Sequence, residues 1–168
     1  MNAFVNLCDT IGYIGPLILF VITTFDLFYR KPYLYTYIVA FIINSYFNMG
    51  LKNLFRIPRQ HNQIFFSKYE NFDGANQYGM PSGHAQSLGF SLTFLHLAKT
   101  NIYICALAFF VAALSLYQRH KYRRHTIVEL LVGLLIGALF AYFVFTGTTY
   151  YLETQTPTQS HKKSELYI

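Results

Sequence analysis

Long apolar runs separated by short polar ones set the pattern of this chain. Five runs reach or approach the ~20 mostly apolar residues that a membrane-spanning helix needs. They cover roughly Ile11 to Phe28, Tyr33 to Leu51, Pro81 to Ala98, Ile102 to Tyr117 and Thr126 to Phe145. Arg30-Lys31-Pro32 stops the first run, and Lys99-Thr100-Asn101 leaves room only for a tight turn. The stretch from Gln60 to Met80 is a long loop with Ile64, Phe65, Phe66, Tyr69, Phe72 and Tyr78 among polar residues. It reads either as a loop packed over the bundle end or as an interfacial lid. From Thr148 the chain turns polar, with Thr-Gln-Thr-Pro-Thr-Gln-Ser, and is expected to be disordered. The pattern predicts an all-α integral membrane bundle of about five transmembrane helices. One domain is expected over residues 1–147, with a tail at 148–168. The start of the chain lacks a positive n-region and a small-residue cleavage site, so the first run is expected to be kept as a span.

Composition sharpens this. Charged residues make up 12% of the 168 residues, against about 25% in a soluble domain, so much of the surface is expected to meet lipid. Tyrosine, with 15 copies, suits the bilayer interface, where its ring is buried and its hydroxyl wet. The net charge of +6 fits either helix-flanking charge or an anionic ligand. Nucleic acid fits poorly, because the cations are split among loops and form no stripe. Cys8 and Cys105 make no CxxC pair and read as buried thiols.

Three short motifs carry the chemistry. Lys52 and Arg59 stand at the end of the second run and in the turn after it. A point charge and a planar fork suit a phosphate, although juxtamembrane charge alone would look the same. Pro81-Ser82-Gly83-His84 opens the third run. Proline and serine are natural helix starters, the amides there bind anions, and Gly83 admits a phosphate close to the backbone. His84 would stand beside it as a proton donor. The bland alternative is a cap with an interfacial histidine. His125 and Glu129, four apart, share one helical face. A carboxylate bonded to one ring nitrogen fixes the tautomer and frees the other nitrogen to attack. Arg119 would be a third cation. Its neighbours His120, Lys121, Arg123 and Arg124 read as a solvated basic loop. Asp26, His61, His96 and His161 read as structural or solvated. No His/Cys/Asp cluster has ligand spacing, so no metal or other cofactor is expected.

Alternating helix direction brings the motifs together. The first lies where the second helix ends, the next where the third begins, and the last between the fourth and fifth. All three therefore share one face, along with the N-terminus. Eight of the 13 Lys and Arg fall on that face. Three of the eight are motif residues, which leaves five against five and no orientation from the positive-inside rule. Gly133, Gly137 and Ala141 continue the Glu129 stripe at four-residue spacing and predict close packing against another helix. Asn44, Asn48 and Lys52 form a second stripe, expected to face the bundle and hydrogen-bond the fifth helix as structural glue, with direct substrate contact as the alternative.

These residues resemble the type 2 phosphatidic acid phosphatase superfamily, which also holds vanadium haloperoxidases. Its pattern is Lys-x6-Arg-Pro, Pro-Ser-Gly-His and Ser-Arg-x5-His-x3-Asp. This chain has Lys52-x6-Arg59-Gln60, Pro81-Ser82-Gly83-His84 and Gln118-Arg119-x5-His125-x3-Glu129. The resemblance covers about residues 44 to 137. It implies a metal-independent membrane phosphatase with His125 as nucleophile, Glu129 orienting it and His84 as general acid. Lys52, Arg59, Ser82, Gly83 and Arg119 would hold the phosphoryl oxygens. Gln60, Gln118 and Glu129 depart from the pattern, the last by one extra methylene. Gly-Met-Pro-Ser-x-His-x-Gln and His125-Thr126 look most like the dolichyl-diphosphatase branch. That branch implies a lipid phosphate or polyisoprenyl diphosphate substrate and, by analogy, the endoplasmic reticulum membrane.

The readings in competition are a phosphatidate or lysophosphatidate phosphatase, a catalytically impaired lipid-phosphate binder, and an anion transporter. A transporter has no need of a nucleophile and an acid. A haloperoxidase would be longer and less apolar.

Overall fold

The computed structural model describes residues 3–66 and 78–155. The described chain forms six helices: α1 (Ala3–Tyr13), α2 (Gly15–Asp26), α3 (Lys31–Phe55), α4 (Gly83–Leu97), α5 (Ile102–Lys121) and α6 (Ile127–Gln155). All five apolar runs are helical. By length and composition α3, α5 and α6 can cross a membrane, and α1 with α2, bent by 66° at their junction, would make a fourth span. The expected fifth falls short because α4 has only 15 residues, about 22 Å of helix against a ~30 Å hydrocarbon core. The helix α6 also runs to Gln155, beyond the expected start of a polar tail at Thr148. Residues 156–168 lie outside the described residues.

The first run breaks because Ile14 leaves the helix and Pro16 restarts it near the N-terminus of α2, where proline's missing N–H does no harm. Gly12 and Gly15 let the break press onto α5. A Cβ on Gly12 would lie 2.7 Å from Leu114 O, and one on Gly15 2.7 Å from Ser115 Cβ.

Helix α4 is the hub, and α6 is its tightest neighbour. A Cβ on Gly137 would lie 1.9 Å from Gln86 O, one on Gly133 2.6 Å from Ser82 O, and one on Gly89 2.3 Å from Leu134 O. The predicted small-residue stripe therefore brings two backbones into direct contact. Tyr37, Phe90 and Phe94 fill the core between α3, α4 and α6. Leu19, Leu88 and Val111 fill the one between α2, α4 and α5.

The asparagine stripe on α3 meets α4 rather than α6. Asn48 Nδ2 donates to Gln86 Oε1 at 2.8 Å, and Gln86 Nε2 donates to Asn44 Oδ1 at 2.9 Å. At the opposite end of the bundle Asp26 accepts from Arg30 and Thr100 at 2.7 and 2.8 Å, a structural pin as expected. Cys8 and Cys105 are free and only half-buried.

Candidate active site

Four helix ends meet at one end of the bundle: the C-termini of α3 and α5 and the N-termini of α4 and α6. Each brings one part of a motif.

The turn into α6 is a capping box. Thr126 stands just before Ile127, and Glu129 N donates to its Oγ1 at 3.2 Å. Thr126 N donates back to Glu129 Oε2 at 3.0 Å. This reciprocal pair satisfies two amides that a helix start otherwise leaves open. The same carboxylate oxygen lies 3.0 Å from His125 Nδ1. Glu129 therefore caps its helix and orients the imidazole with one atom, and both side chains are buried. Burial pushes the His125 pKa down to about 4, with the Arg59 and Lys52 charges acting the same way against the Glu129 hydrogen bond. At neutral pH the ring is uncharged with Nε2 unprotonated, as a nucleophile requires.

Ser82 caps α4. Its Oγ accepts from Ala85 N at 3.4 Å, its amide donates to Glu129 O at 3.2 Å, and it is fully buried. Gly83 follows, and a Cβ there would lie 3.1 Å from Asn48 Oδ1. His84 comes next, with Nε2 2.6 Å from Arg119 Nη2 and 3.1 Å from the Tyr13 carbonyl. The charges of Arg119, His125 and Lys52 all reach it.

Lys52 is buried in the last turn of α3. The helix ends at Phe55 with Arg56 in the left-handed region, φ 52°. The chain then runs beside the segment leading to α4. Pro58 bridges Tyr78, Gly79 N donates to Ile57 O at 2.8 Å, and Arg59 Nε donates to Tyr78 O at 3.3 Å. This pairing holds Arg59 against Gly79 and Glu129. A Cβ on Gly79 would meet Glu129 Oε1 at 2.6 Å and Arg59 Cγ at 3.4 Å.

All eight residues singled out from the motifs thus lie at this end. One placement differs from expectation. Arg124, read as part of a solvated run, is buried, with its guanidinium 4.8 Å from the Phe65 ring. Gln118 is also buried, and among the described residues neither of its amide atoms finds a partner. The described part of the long loop is anchored at Ile64 and Phe66, while the Ile64 and Phe65 side chains stay exposed. Ile64 N donates to Tyr122 O at 3.0 Å, and the Phe66 ring lies between Tyr13, tilted at 46°, and Tyr122, edge-on at 79°. Residues 67–77 lie outside the described residues.

Sequence reasoning missed Tyr13, Asp9 and Gly79. Asp9 is buried and takes both Lys121 Nζ, at 2.6 and 2.9 Å, and the Tyr122 hydroxyl at 2.9 Å, tying α1 to the α5–α6 turn. A charged residue in an otherwise apolar N-terminal stretch was its only signal. Gly79 was visible only as part of a family string.

Two cavities approach the cluster. One, of about 670 Å³, is apolar, with walls from Leu17, Phe20, Phe41 and Ile42 and with Gly83 and His84 in its lining. The other, of about 680 Å³, is polar and is lined by His61, Asn62, His120, Arg123 and His125.

Comparison with known proteins gives three findings. The chain is 30% identical over 126 residues to a dolichyldiphosphatase of Saccharomyces cerevisiae, taking in 68% of this chain and 49% of that protein. It thus spans about half the length of the curated relative it matches. A crystal structure of a transmembrane PAP2-type phosphatidylglycerolphosphate phosphatase from Bacillus subtilis shares the fold, with a TM-score of 0.65 at 16% identity. The likeness covers 95% of this chain and 81% of the other. Residues 33–152 match the model of the PAP2 superfamily, the type 2 phosphatidic acid phosphatases. A match over that much of the chain carries membership: this protein belongs to the PAP2 superfamily.

Proposed function

We propose that the protein is a membrane phosphatase that releases inorganic phosphate from a lipid phosphate or polyisoprenyl diphosphate through a phosphohistidine. His125 Nε2 attacks the terminal phosphorus as the bond to the leaving oxygen breaks, and His84 gives that oxygen its proton. Water then attacks the phosphohistidine and yields its proton to His84, which frees phosphate and restores both residues. Lys52, Arg59 and Arg119 neutralise the phosphoryl oxygens, and Ser82 Oγ–H and the Gly83 amide donate to them. The reaction as proposed needs no metal or other cofactor.

The observation that carries this reading is the buried Glu129–His125 pair at 3.0 Å, its ring uncharged, in one cluster with three cations and a second histidine. The apolar cavity ending at His84 supports a lipid substrate, its tail between helices and its head group in the cluster. The name of the yeast relative supports a polyisoprenyl diphosphate, and that of the bacillar one a glycerolipid phosphate. The endoplasmic reticulum membrane belongs to the first of these readings.

The test is phosphate release by purified protein in detergent with EDTA present. Polyisoprenyl diphosphate and monophosphate, phosphatidate and lysophosphatidate are offered, with a folded His125→Ala control. Release that the control abolishes is expected, fastest with the diphosphate. No release from monodisperse wild-type protein, or release undiminished in the control, would overturn the proposal in favour of a lipid-phosphate binder or a different nucleophile.

A further inference from the structure

The family match begins at residue 33, so α1 and α2 lie outside it. Yet their junction reaches the phosphate site. Tyr13 is the last residue of α1. Its carbonyl stands 3.1 Å from His84 Nε2, and its ring centroid lies 5.3 Å from the guanidinium carbon of Arg119. The ring also packs on Phe66 at 5.5 Å. Three features seat it there: the 66° bend and the bare backbone faces of Gly12 and Gly15, pressed onto the turns of α5 just before Arg119.

We propose that Tyr13 is a positioning residue of the proposed phosphatase site, its ring holding the Arg119 guanidinium and its carbonyl holding His84. This rests on the phosphatase reading.

The argument turns on His84 Nε2, which has two neighbours of opposite kind. A guanidinium can only donate, so the Arg119 contact requires a lone pair on Nε2. A carbonyl can only accept, so the Tyr13 contact requires a proton there. One atom satisfies one of these at a time. While Arg119 donates to Nε2, the imidazole is neutral. Once a phosphoryl oxygen draws that donor away, Nε2 takes a proton from water or from the entering phosphate monoanion and donates to Tyr13 O, so the carbonyl is already in place for the protonated ring. The Tyr13 ring acts on the other partner. The negative face of an aromatic ring attracts a guanidinium, more strongly where water is excluded. Arg119 is buried, and the ring keeps it beside the pocket in both arrangements. Tyr13 also lines the apolar cavity, so one residue borders both head group and tail. The hydroxyl plays no part in this, which separates the proposal from a catalytic tyrosine.

The test compares wild type with Tyr13→Phe, Tyr13→Leu and Tyr13→Met, all full-length in detergent. Two quantities are read: the affinity for orthovanadate by calorimetry, and phosphate release from polyisoprenyl diphosphate. Tyr13→Phe, which keeps ring and carbonyl, is expected within twofold of wild type in both. The two ringless variants are expected to bind vanadate about tenfold more weakly, with kcat lowered at least as far. Wild-type vanadate affinity in either ringless variant would overturn the proposal, as would a loss in Tyr13→Phe as deep as in Tyr13→Leu. Failure of both ringless variants to fold would assign Tyr13 to structure alone and overturn it too. A wild type that binds vanadate but releases no phosphate sinks the phosphatase reading, while the binding arm still decides the role of Tyr13.

Discussion

Replacing Gly79 by alanine tests how this site accommodates a glutamate where its family pattern has aspartate. No glycine among the described residues has positive φ, so alanine meets no backbone strain there. Its methyl meets Glu129 Oε1 at 2.6 Å and Cδ at 3.2 Å. To reach ordinary contact the oxygen must retreat by about 0.8 Å, from 2.6 to 3.4 Å. A carboxylate on a loose side chain would swing aside at little cost. This one is held at Oε2 by Thr126 N and His125 Nδ1, both at 3.0 Å. A shift of that size takes those bonds past hydrogen-bond range or carries the imidazole along. A displacement of about 1 Å at reacting groups costs on the order of 100-fold in rate, so Gly79→Ala should lower kcat/KM by about that much. Overpacking should lower stability by about 1–3 kcal/mol.

The companion change is Glu129→Asp. It shortens the side chain by one bond, about 1.5 Å, which withdraws the carboxylate from residue 79 and weakens the capping box. We expect about a tenfold loss, since part of the histidine contact survives. In the double variant the added methyl occupies the space the shorter side chain leaves. Its kcat/KM should then equal or exceed that of Glu129→Asp alone, a coupling of about 2.7 kcal/mol or more. The assay is steady-state phosphate release for the four proteins, with thermal unfolding to confirm folding. If the two losses multiply to about 1000-fold, the residues act independently, and the steric account of Gly79 is wrong.

The pH dependence follows from His125. Its pKa lies near 4 in the folded protein against an ordinary 6.5, so it stays uncharged well below neutrality, as the proposed nucleophile would need. The acid limb of kcat/KM due to this residue should fall near pH 4 rather than 6.5, as read in a pH–rate profile of the free enzyme. A depressed histidine stabilises the fold fully above pH 6.5 and loses that contribution as pH falls toward 4, so the unfolding midpoint should drop over that window and not above it. Gly137→Ala and Gly89→Ala put a methyl 1.9 and 2.3 Å from backbone oxygens and should unfold the α4–α6 contact, read as loss of monodisperse protein. Gly50→Ala and Gly147→Ala meet nothing within 4 Å among the described residues and should be neutral or stabilise by about 0.4–1 kcal/mol in the same measurement. Gln86→Leu removes the partner of Asn44 Oδ1 and leaves Asn48 Nδ2 only the Pro81 carbonyl at 3.3 Å, and should cost about 1–3 kcal/mol of stability, seen as a lowered melting temperature.

The parts legible in the sequence were those set by period and spacing. Helix direction alternates, so three motifs at alternate ends had to converge, and they do. Spacing of four along Gly133, Gly137 and Ala141 marked the face of α6 that meets α4. What sequence hid depends on neighbours distant in the chain. Asn44 and Asn48 were recognised as polar glue, but Gln86 as their partner requires knowing that α4 lies between α3 and α6. The break at Ile14 was masked because the residues on either side are apolar enough to read as one run. Arg124 sits in a string of cations that looks solvated, and only the fold over Phe65 buries it. The short length of α4 follows from its cap: Ser82 was legible as a helix starter, and the helix itself begins only at Gly83 and ends at Leu97.

The short helix and the site have a common cause. Helix α4 carries Ser82, Gly83 and His84, and its first turn presses against the first turns of α6 with no side chains between them. Two helix N-termini thus face one pocket, and their dipoles add to the field of Lys52, Arg59 and Arg119. Such an approach needs glycine at Gly89, Gly133 and Gly137, and a polar partner on the other side of α4, which Asn44 and Asn48 supply through Gln86. An α4 with an ordinary apolar face toward α6 would separate the two helix starts by a side-chain layer. The Ser82 amide could not then reach Glu129 O at 3.2 Å, and the histidines would part. The glycine spacing on α4 and α6 is therefore as much a requirement of the proposed chemistry as the histidines themselves.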